Sequence, residues 1–219
     1  MSSRQHLALY AAVGPELVHY AVDVDAATLA RKGSITLPSN IHYAVPHAAR
    51  HTLYLASSDS SSGSGTFVGS IHHLSAWRID PASGALTPHG PRVDLPTRPI
   101  HVTTDAASRF ILVAFNRPSL LLVYRLNADG TLGAEVKQNE PVDAAIFAHQ
   151  IRLTPDDRLA ILVTRGNDAA NGKPEDPGSL RVFRFDDGQL RGETSIAPGG
   201  GYGFGPRHLD FHPSQPWVY

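Results

Sequence analysis

The chain has 219 residues, a formal net charge of -1, 42% hydrophobic residues and no cysteine. Evenly spread charge without a basic run excludes nucleic acid and an acidic membrane surface as partners, and the missing cysteines exclude disulfides, thiol nucleophiles and thiolate metal sites in this span. No stretch approaches the roughly 18 apolar residues of a membrane span, and Met1-Ser2-Ser3-Arg4-Gln5-His6 has no apolar signal region, so a soluble cytoplasmic protein is expected.

From the N-terminus, residues 7–12 read as a short apolar strand, followed by Tyr20 in LVHYAV and by Leu29 behind a turn. The same phrase returns with residues 53–56, Trp77 in LSAWRI and Leu86 behind Gly84, then with residues 110–115, Tyr124 in LVYRL and Leu132 behind Gly130. It returns again with residues 159–164, Phe183 in RVFRF and Leu190 behind Gly188. The aromatic slot recurs at intervals of 57, 47 and 59 residues, and an upstream slot at Tyr43, His101, Gln150 and His208 recurs at 58, 49 and 58.

The apolar runs are short, rich in β-branched and aromatic residues and bounded by Gly, Pro, Asn and Asp, and no helical periodicity is sustained. A repeat of about 50 residues built from several short strands predicts propeller blades, because one small sheet must stack on neighbours to bury both faces. In the best-defined blade the expected inner strand is residues 101–104, the buried strand 110–115, the third strand 120–126 and the outer strand 133–138. The aromatics of the recurring slot are expected to be core packing. The buried strand occurs five times, the last at residues 217–219, but the third strand only four times. The expectation is one all-β propeller segment over 1–219, made of four-stranded antiparallel blades, with Tyr219 a truncation point.

Three segments interrupt the repeat and are candidate rim loops able to shape a pocket: residues 57–69, 167–178 and 197–205. Glycines at 63–65 and 199–205 lack the GK[ST] sequel and strand-to-helix context of a phosphate cradle, and no G-x-S-x-G elbow exists. His72 and His73 are adjacent, so on a strand they point to opposite faces. His208, Asp210 and His212 would share a face on a regular strand, but Pro213 ends it, and no metal or other cofactor is expected.

Pro99-Ile100-His101-Val102, Ala148-His149-Gln150 followed by Thr154-Pro155-Asp156-Asp157-Arg158, and above all Gly205-Pro206-Arg207-His208-Leu209-Asp210-Phe211-His212-Pro213 resemble the lactonase family of seven-bladed propellers. The resemblance runs from about His6 to Tyr219 and implies that about four of seven blades are present. It also implies a site in which His149 and Arg207 meet at the channel mouth. The resemblance also implies a glutamate shortly after the GPRH phrase and an arginine from a later blade, both expected past Tyr219. Phe147 departs from that pattern, which often has a second histidine there, and the insertion after Thr164-Arg165-Gly166-Asn167-Asp168 replaces a shorter turn.

Lactone hydrolysis needs a base near neutral pH, for which histidine with its ordinary pKa of about 6.5 is suited, and a cation for the developing oxyanion or an anionic substrate group. His149 is therefore the expected base and Arg207 the expected anion clamp, with Arg165, Asn167 and His208 as substrate contacts. His101 and His208 also share a repeat slot, which marks blade architecture. Arg109 and Arg158 are expected at strand starts as ion pairs or caps. The expected activity is hydrolysis of a sugar lactone, most simply 6-phosphogluconolactone, with the 219-residue chain alone inactive for want of the later residues. A muconate-type cycloisomerase and a non-catalytic binding scaffold are the competing readings.

Overall fold

The computed structural model describes residues 7–60 and 67–219. Strands β1 (Leu7–Val13), β2 (Glu16–Asp23) and β3 (Thr28–Thr36) form a first antiparallel sheet. The second contains β4 (Asn40–Pro46), β5 (Thr52–Ser58), β6 (His72–Ile79) and β7 (Leu86–Pro88), with the two-residue β8 (Val93–Asp94) pairing further along β6. The third runs β9 (Pro99–Thr104), β10 (Phe110–Asn116), β11 (Ser119–Leu126) and β12 (Leu132–Glu135). The fourth runs β13 (Ala148–Leu153), β14 (Leu159–Thr164), β15 (Ser179–Asp186) and β16 (Gln189–Ile196). A bridge between Phe211 and Val218 opens a fifth unit. The only helical piece among the described residues is a 3-10 turn at Pro198–Gly201.

Strands follow one another in space in the order they occur in sequence, as short meandering connections require. The core lies between sheets, not within them. Leu17, Leu37, Leu53 and Leu55 fill the first interface; Tyr54, Leu74, Ile111 and Val113 the second; Leu112, Val123, Ile151 and Leu162 the third. Because side chains alternate along a strand, Ile111 and Leu112 of β10 enter opposite interfaces, and every residue of β10 is buried.

The recurrent turn glycine has a packing reason. Asp187 and Gly188 both have positive φ, 43° and 83°, the requirement of a two-residue hairpin whose twist matches its strands. A Cβ on Gly188 would sit 2.6 Å from the Phe110 ring of the preceding sheet. One sheet earlier the corresponding Gly130 offers its carbonyl to the buried Tyr54 hydroxyl at 2.9 Å, and before that Gly84 to the Tyr10 hydroxyl at 2.6 Å. The outer hairpins of the second, third and fourth sheets are thus seated on β1, β5 and β10 of the sheet before.

Three expectations need correction. The fifth copy of the buried strand, expected at residues 217–219, is a single bridge at Val218, and Trp217, Val218 and Tyr219 are all exposed. β1 was expected to be buried but is exposed or half-buried along its whole length, because no described element packs on its far face. Leu29 is exposed and Tyr20 half-buried for the same reason, whereas their equivalents Leu132, Leu190, Tyr124 and Phe183 lie in core interfaces. The outer strand β12 covers Leu132–Glu135, shorter than the expected 133–138, since the register shifts between Tyr124 and Leu126.

At strand starts, Asp105 is buried and its Oδ1 accepts the backbone N–H groups of Arg109 and Phe110, each at 2.7 Å, while Arg109 Nε lies 3.4 Å from its Oδ2. The Arg158 backbone N–H donates to Asp156 at 3.2 Å. The Arg109–Asp105 contact is the ion pair expected of a recurring arginine, whereas at Arg158 only the backbone is capped and the guanidinium makes no ion pair among the described residues.

Candidate active site

The inner strands are interrupted at one repeated place. On β4 the register jumps from Ile41 to Tyr43, on β9 two successive residues of β10 face His101 and Pro99, and on β13 the register jumps from Ala148 to Gln150. His42, Ile100 and His149 are the extra residues. A bulged residue leaves the alternation of the ladder, so its side chain is re-aimed, and Ile100 and His149 thereby line a cavity. Arg207 occupies the same slot one unit further on. The slot whose members Ile100, His149 and Arg207 reach the cavity is therefore one residue upstream of the Tyr43, His101, Gln150, His208 series.

His149 and Arg207 line one cavity of about 760 Å³, together with Arg165 and Asn167. Five cationic side chains (Arg98, Arg117, Arg165, Lys173 and Arg207) face two carboxylates, Asp168 and Asp176. Arg165 is hydrogen-bonded to Asp168, and Asp176 accepts from Asn167 Nδ2 at 2.8 Å, so both acids are already engaged. The cavity is consequently electropositive and suited to an anionic ligand.

Burial, then the neighbouring His208 and Arg207, lowers the His149 pKa to about 4. The imidazole is neutral at pH 7, and its Nδ1 is buried without a protein partner. This corrects the assumption of an ordinary histidine pKa: the ring is available as a base but a weaker one. His208 stacks edge-on against His149 with ring centroids 5.0 Å apart, and does not itself line the cavity. Gln150 Oε1 accepts the Leu209 N–H at 2.6 Å, which ties β13 to the GPRH segment and fixes Arg207 beside His149.

The loop 167–178 supplies much of the cavity wall, as expected of a rim loop. The loop 197–205 braces it from outside: Gly178 N–H donates to the Gly201 carbonyl at 2.9 Å and Gly203 N–H to Glu175 at 2.6 Å. Of the third candidate loop, Ser57 and Ser58 belong to β5, and residues 61–66 lie outside the described residues.

The possible ligand set at 208–212 is dispersed. Asp210 pairs with Arg152 at 3.0 Å, and His212 Nδ1 accepts from the Ser214 and Gln215 backbone. Among the described residues no three His, Asp or Glu side chains form a metal-binding group.

Arg98, Arg117 and Lys173 were missed from sequence. The available signal was the repeated Arg-Pro dipeptide, Arg98-Pro99 and Arg117-Pro118, each at one end of a strand in the third blade.

Residues 7–219 match the family described as lactonase, 7-bladed beta-propeller. The chain belongs to that family. Among named relatives, the 6-phosphogluconolactonase of Cronobacter sakazakii is 31% identical over 147 residues, covering 66% of this chain and 39% of the relative. That of Bacillus subtilis is 29% identical over 161 residues, covering 67% and 40%. The chain thus spans about two-fifths of the length of these relatives. In structure it is similar to the periplasmic gluconolactonase of Pseudomonas aeruginosa, with a TM-score of 0.58 at 18% identity over 87% of this chain and 68% of the other. A protein from Lactobacillus plantarum gives a TM-score of 0.62 at 16% identity, covering 88% of this chain and 55% of that one. These two likenesses are of fold. No helix among the described residues is long and apolar enough to cross a membrane.

Proposed function

We propose that this chain carries the substrate-binding half of a lactonase that hydrolyses a phosphorylated sugar lactone, most simply 6-phosphogluconolactone, with His149 as base and Arg207 as oxyanion clamp. The supporting observation is a neutral imidazole, re-aimed by a β-bulge and adjacent to an arginine, on the wall of a cation-rich cavity. The relatives named as 6-phosphogluconolactonases support the substrate class.

In the proposed step His149 removes a proton from a water, whose oxygen adds to the lactone carbonyl carbon. The negative charge on the carbonyl oxygen is held by Arg207. Collapse of the tetrahedral intermediate breaks the ring C–O bond, and the imidazolium returns its proton to the departing ring oxygen. The product is the open hydroxy acid, and the enzyme is unchanged. Arg165 and Asn167, each anchored to a loop carboxylate, position the sugar hydroxyls.

The test is lactone hydrolysis by the protein as made from its own gene. His149→Ala is expected to lower kcat by about 10²–10⁴-fold, the usual worth of a general base. Arg207→Ala is expected to lose about 10²–10³-fold, as for removal of an oxyanion donor. Unchanged rates in both variants would reject the residue assignment.

A further inference from the structure

We propose that Arg98 and Arg117 form a separate anion subsite that binds the phosphate of the substrate, one blade away from the His149–Arg207 pair at which the ring reacts. The subsite's existence rests on the geometry below, and the identity of its ligand rests on the lactonase reading.

The two arginines are brought together by the third blade. Arg98 immediately precedes β9, and Arg117 sits in the turn between β10 and β11. The buried Thr97 hydroxyl donates to the Arg117 carbonyl at 2.8 Å, tying the two segments at that point. Both guanidiniums then line the cavity, on either side of the buried Asn116 in sequence.

Neither arginine has a compensating charge. Among the described residues neither takes part in an ion pair, unlike Arg165 with Asp168 or Arg181 with Asp143. Neither guanidinium donates a hydrogen bond within the described protein, and the Arg98 Nε is buried without a partner. Burial and the neighbouring Arg117 both disfavour the Arg98 charge. Arg98 is half-buried and Arg117 exposed, so the uncompensated charge is chiefly that of Arg98, a partly desolvated guanidinium beside a second cation, which is costly unless an anion completes it.

Phe147 explains how the second arginine is held without a carboxylate. Arg117 stacks over the Phe147 ring at 5.3 Å, and Arg165 lies over the same ring at 5.2 Å. Stacking fixes a guanidinium plane while leaving its N–H edge for a ligand. Phe147 has φ of 58°, an unusual conformation for a bulky residue, and the Arg165 N–H bonds back to its carbonyl at 2.9 Å. Phe147 is thus the platform of Arg117 and Arg165.

Two guanidinium forks match a phosphomonoester, which offers three acceptor oxygens and close to two charges at neutral pH. His149 and Arg207 lie in the next two units, so an elongated substrate can place its phosphate at blade three and its carbonyl between blades four and five.

The experiment compares kcat/KM for 6-phosphogluconolactone and for unphosphorylated gluconolactone in Arg98→Met and Arg117→Met, with calorimetric Kd values for 6-phosphogluconate and gluconate. The preference for the phosphorylated lactone is expected to fall about tenfold to a hundredfold in each variant, the worth of a charge-assisted hydrogen bond. Binding of 6-phosphogluconate should weaken by a similar factor. Arg98→Lys and Arg117→Lys, which keep the charge but lose the fork, should retain an intermediate preference and the wild-type melting temperature. An unchanged preference ratio in the Met variants, with both substrates equally affected or unaffected, overturns the subsite. If the wild-type protein turns over neither lactone, the lactonase reading fails by itself. Calorimetry then decides the subsite: loss of 6-phosphogluconate binding in the Met variants upholds it, and equal binding or none overturns it.

Discussion

His149 is neutral over most of the accessible pH range because a half-buried ring beside His208 and Arg207 holds a proton poorly. A base must be deprotonated to act, so activity should fall only as pH drops through its pKa. The acid limb of kcat/KM, which reports the free enzyme, is expected near pH 4, well below an ordinary histidine. A bound dianion favours the imidazolium, so the limb in kcat should lie higher. Stopped-rate assays between pH 4 and 8 would check both, and an acid limb of kcat/KM at the ordinary histidine value would contradict the burial argument. His101 offers a second test. It is buried against the Tyr43 ring at 4.0 Å, neither ring nitrogen has a protein partner, and its pKa is lowered to about 3 by burial first. Below the ordinary value of about 6.5 the unfolded chain takes up protons that the folded chain refuses, so stability is fully present above that pH and declines on acidification toward the folded value. His42 and His149, both lowered to about 4, act in the same direction. His101→Leu should therefore reduce, without abolishing, the fall in Tm between pH 7 and pH 5, as read by thermal denaturation. Such histidines stand out in sequence as residue types at a recurring slot, but whether a slot faces the channel or the cavity depends on a one-residue bulge. The series containing His101 was visible, while the adjacent series containing His42, Ile100, His149 and Arg207 emerged as a structural slot only with the register.

At the scale of elements, the hairpin between β15 and β16 is held by a glycine that meets two demands at once. Its φ of 83° lies in the left-handed region, and an added methyl would strike Phe110. Gly188→Ala should cost about 1–3 kcal/mol, the range for backbone strain of this kind, with some added from the contact. Urea denaturation would register it as a lower midpoint at unchanged slope, and Gly192→Ala, where nothing lies within 4 Å, supplies the comparison. The turn glycines were legible as a repeated phrase because the same packing recurs in successive blades. The pairing of Arg98 with Arg117 was not, since a Thr97 hydroxyl brings together segments 20 residues apart.

At the scale of the molecule, cohesion is between neighbouring sheets. Leu112 is fully buried in the interface of the third and fourth sheets, with Ile151 and Leu162 opposite. Leu112→Ala should destabilise by about 2–5 kcal/mol, the usual result of emptying such a site. Because contacts are nearest-neighbour, hydrogen exchange should show faster opening of β10 and β14, with β2 little affected. Uniformly faster exchange in all four sheets would instead indicate one cooperative core. The same architecture explains why identical sequence phrases differ in burial: β10 has a sheet on each side, and β1 has a described sheet on only one.

The sequence by itself determined the strands, their antiparallel order, the blade repeat and the family, because alternating apolar runs and turn residues are local and recur at a near-constant spacing. It also singled out His149, Arg207, Arg165 and Asn167, which the fold gathers on one cavity wall. Only the tertiary structure decided that His208 backs His149 instead of lining the cavity, that Arg98 and Arg117 converge there, and that Phe147 is a platform for two arginines. The reason is physical: each of these depends on bulges and cross-blade contacts between residues far apart in the chain. Burial and charge at such a junction arise from neighbours that no local pattern encodes.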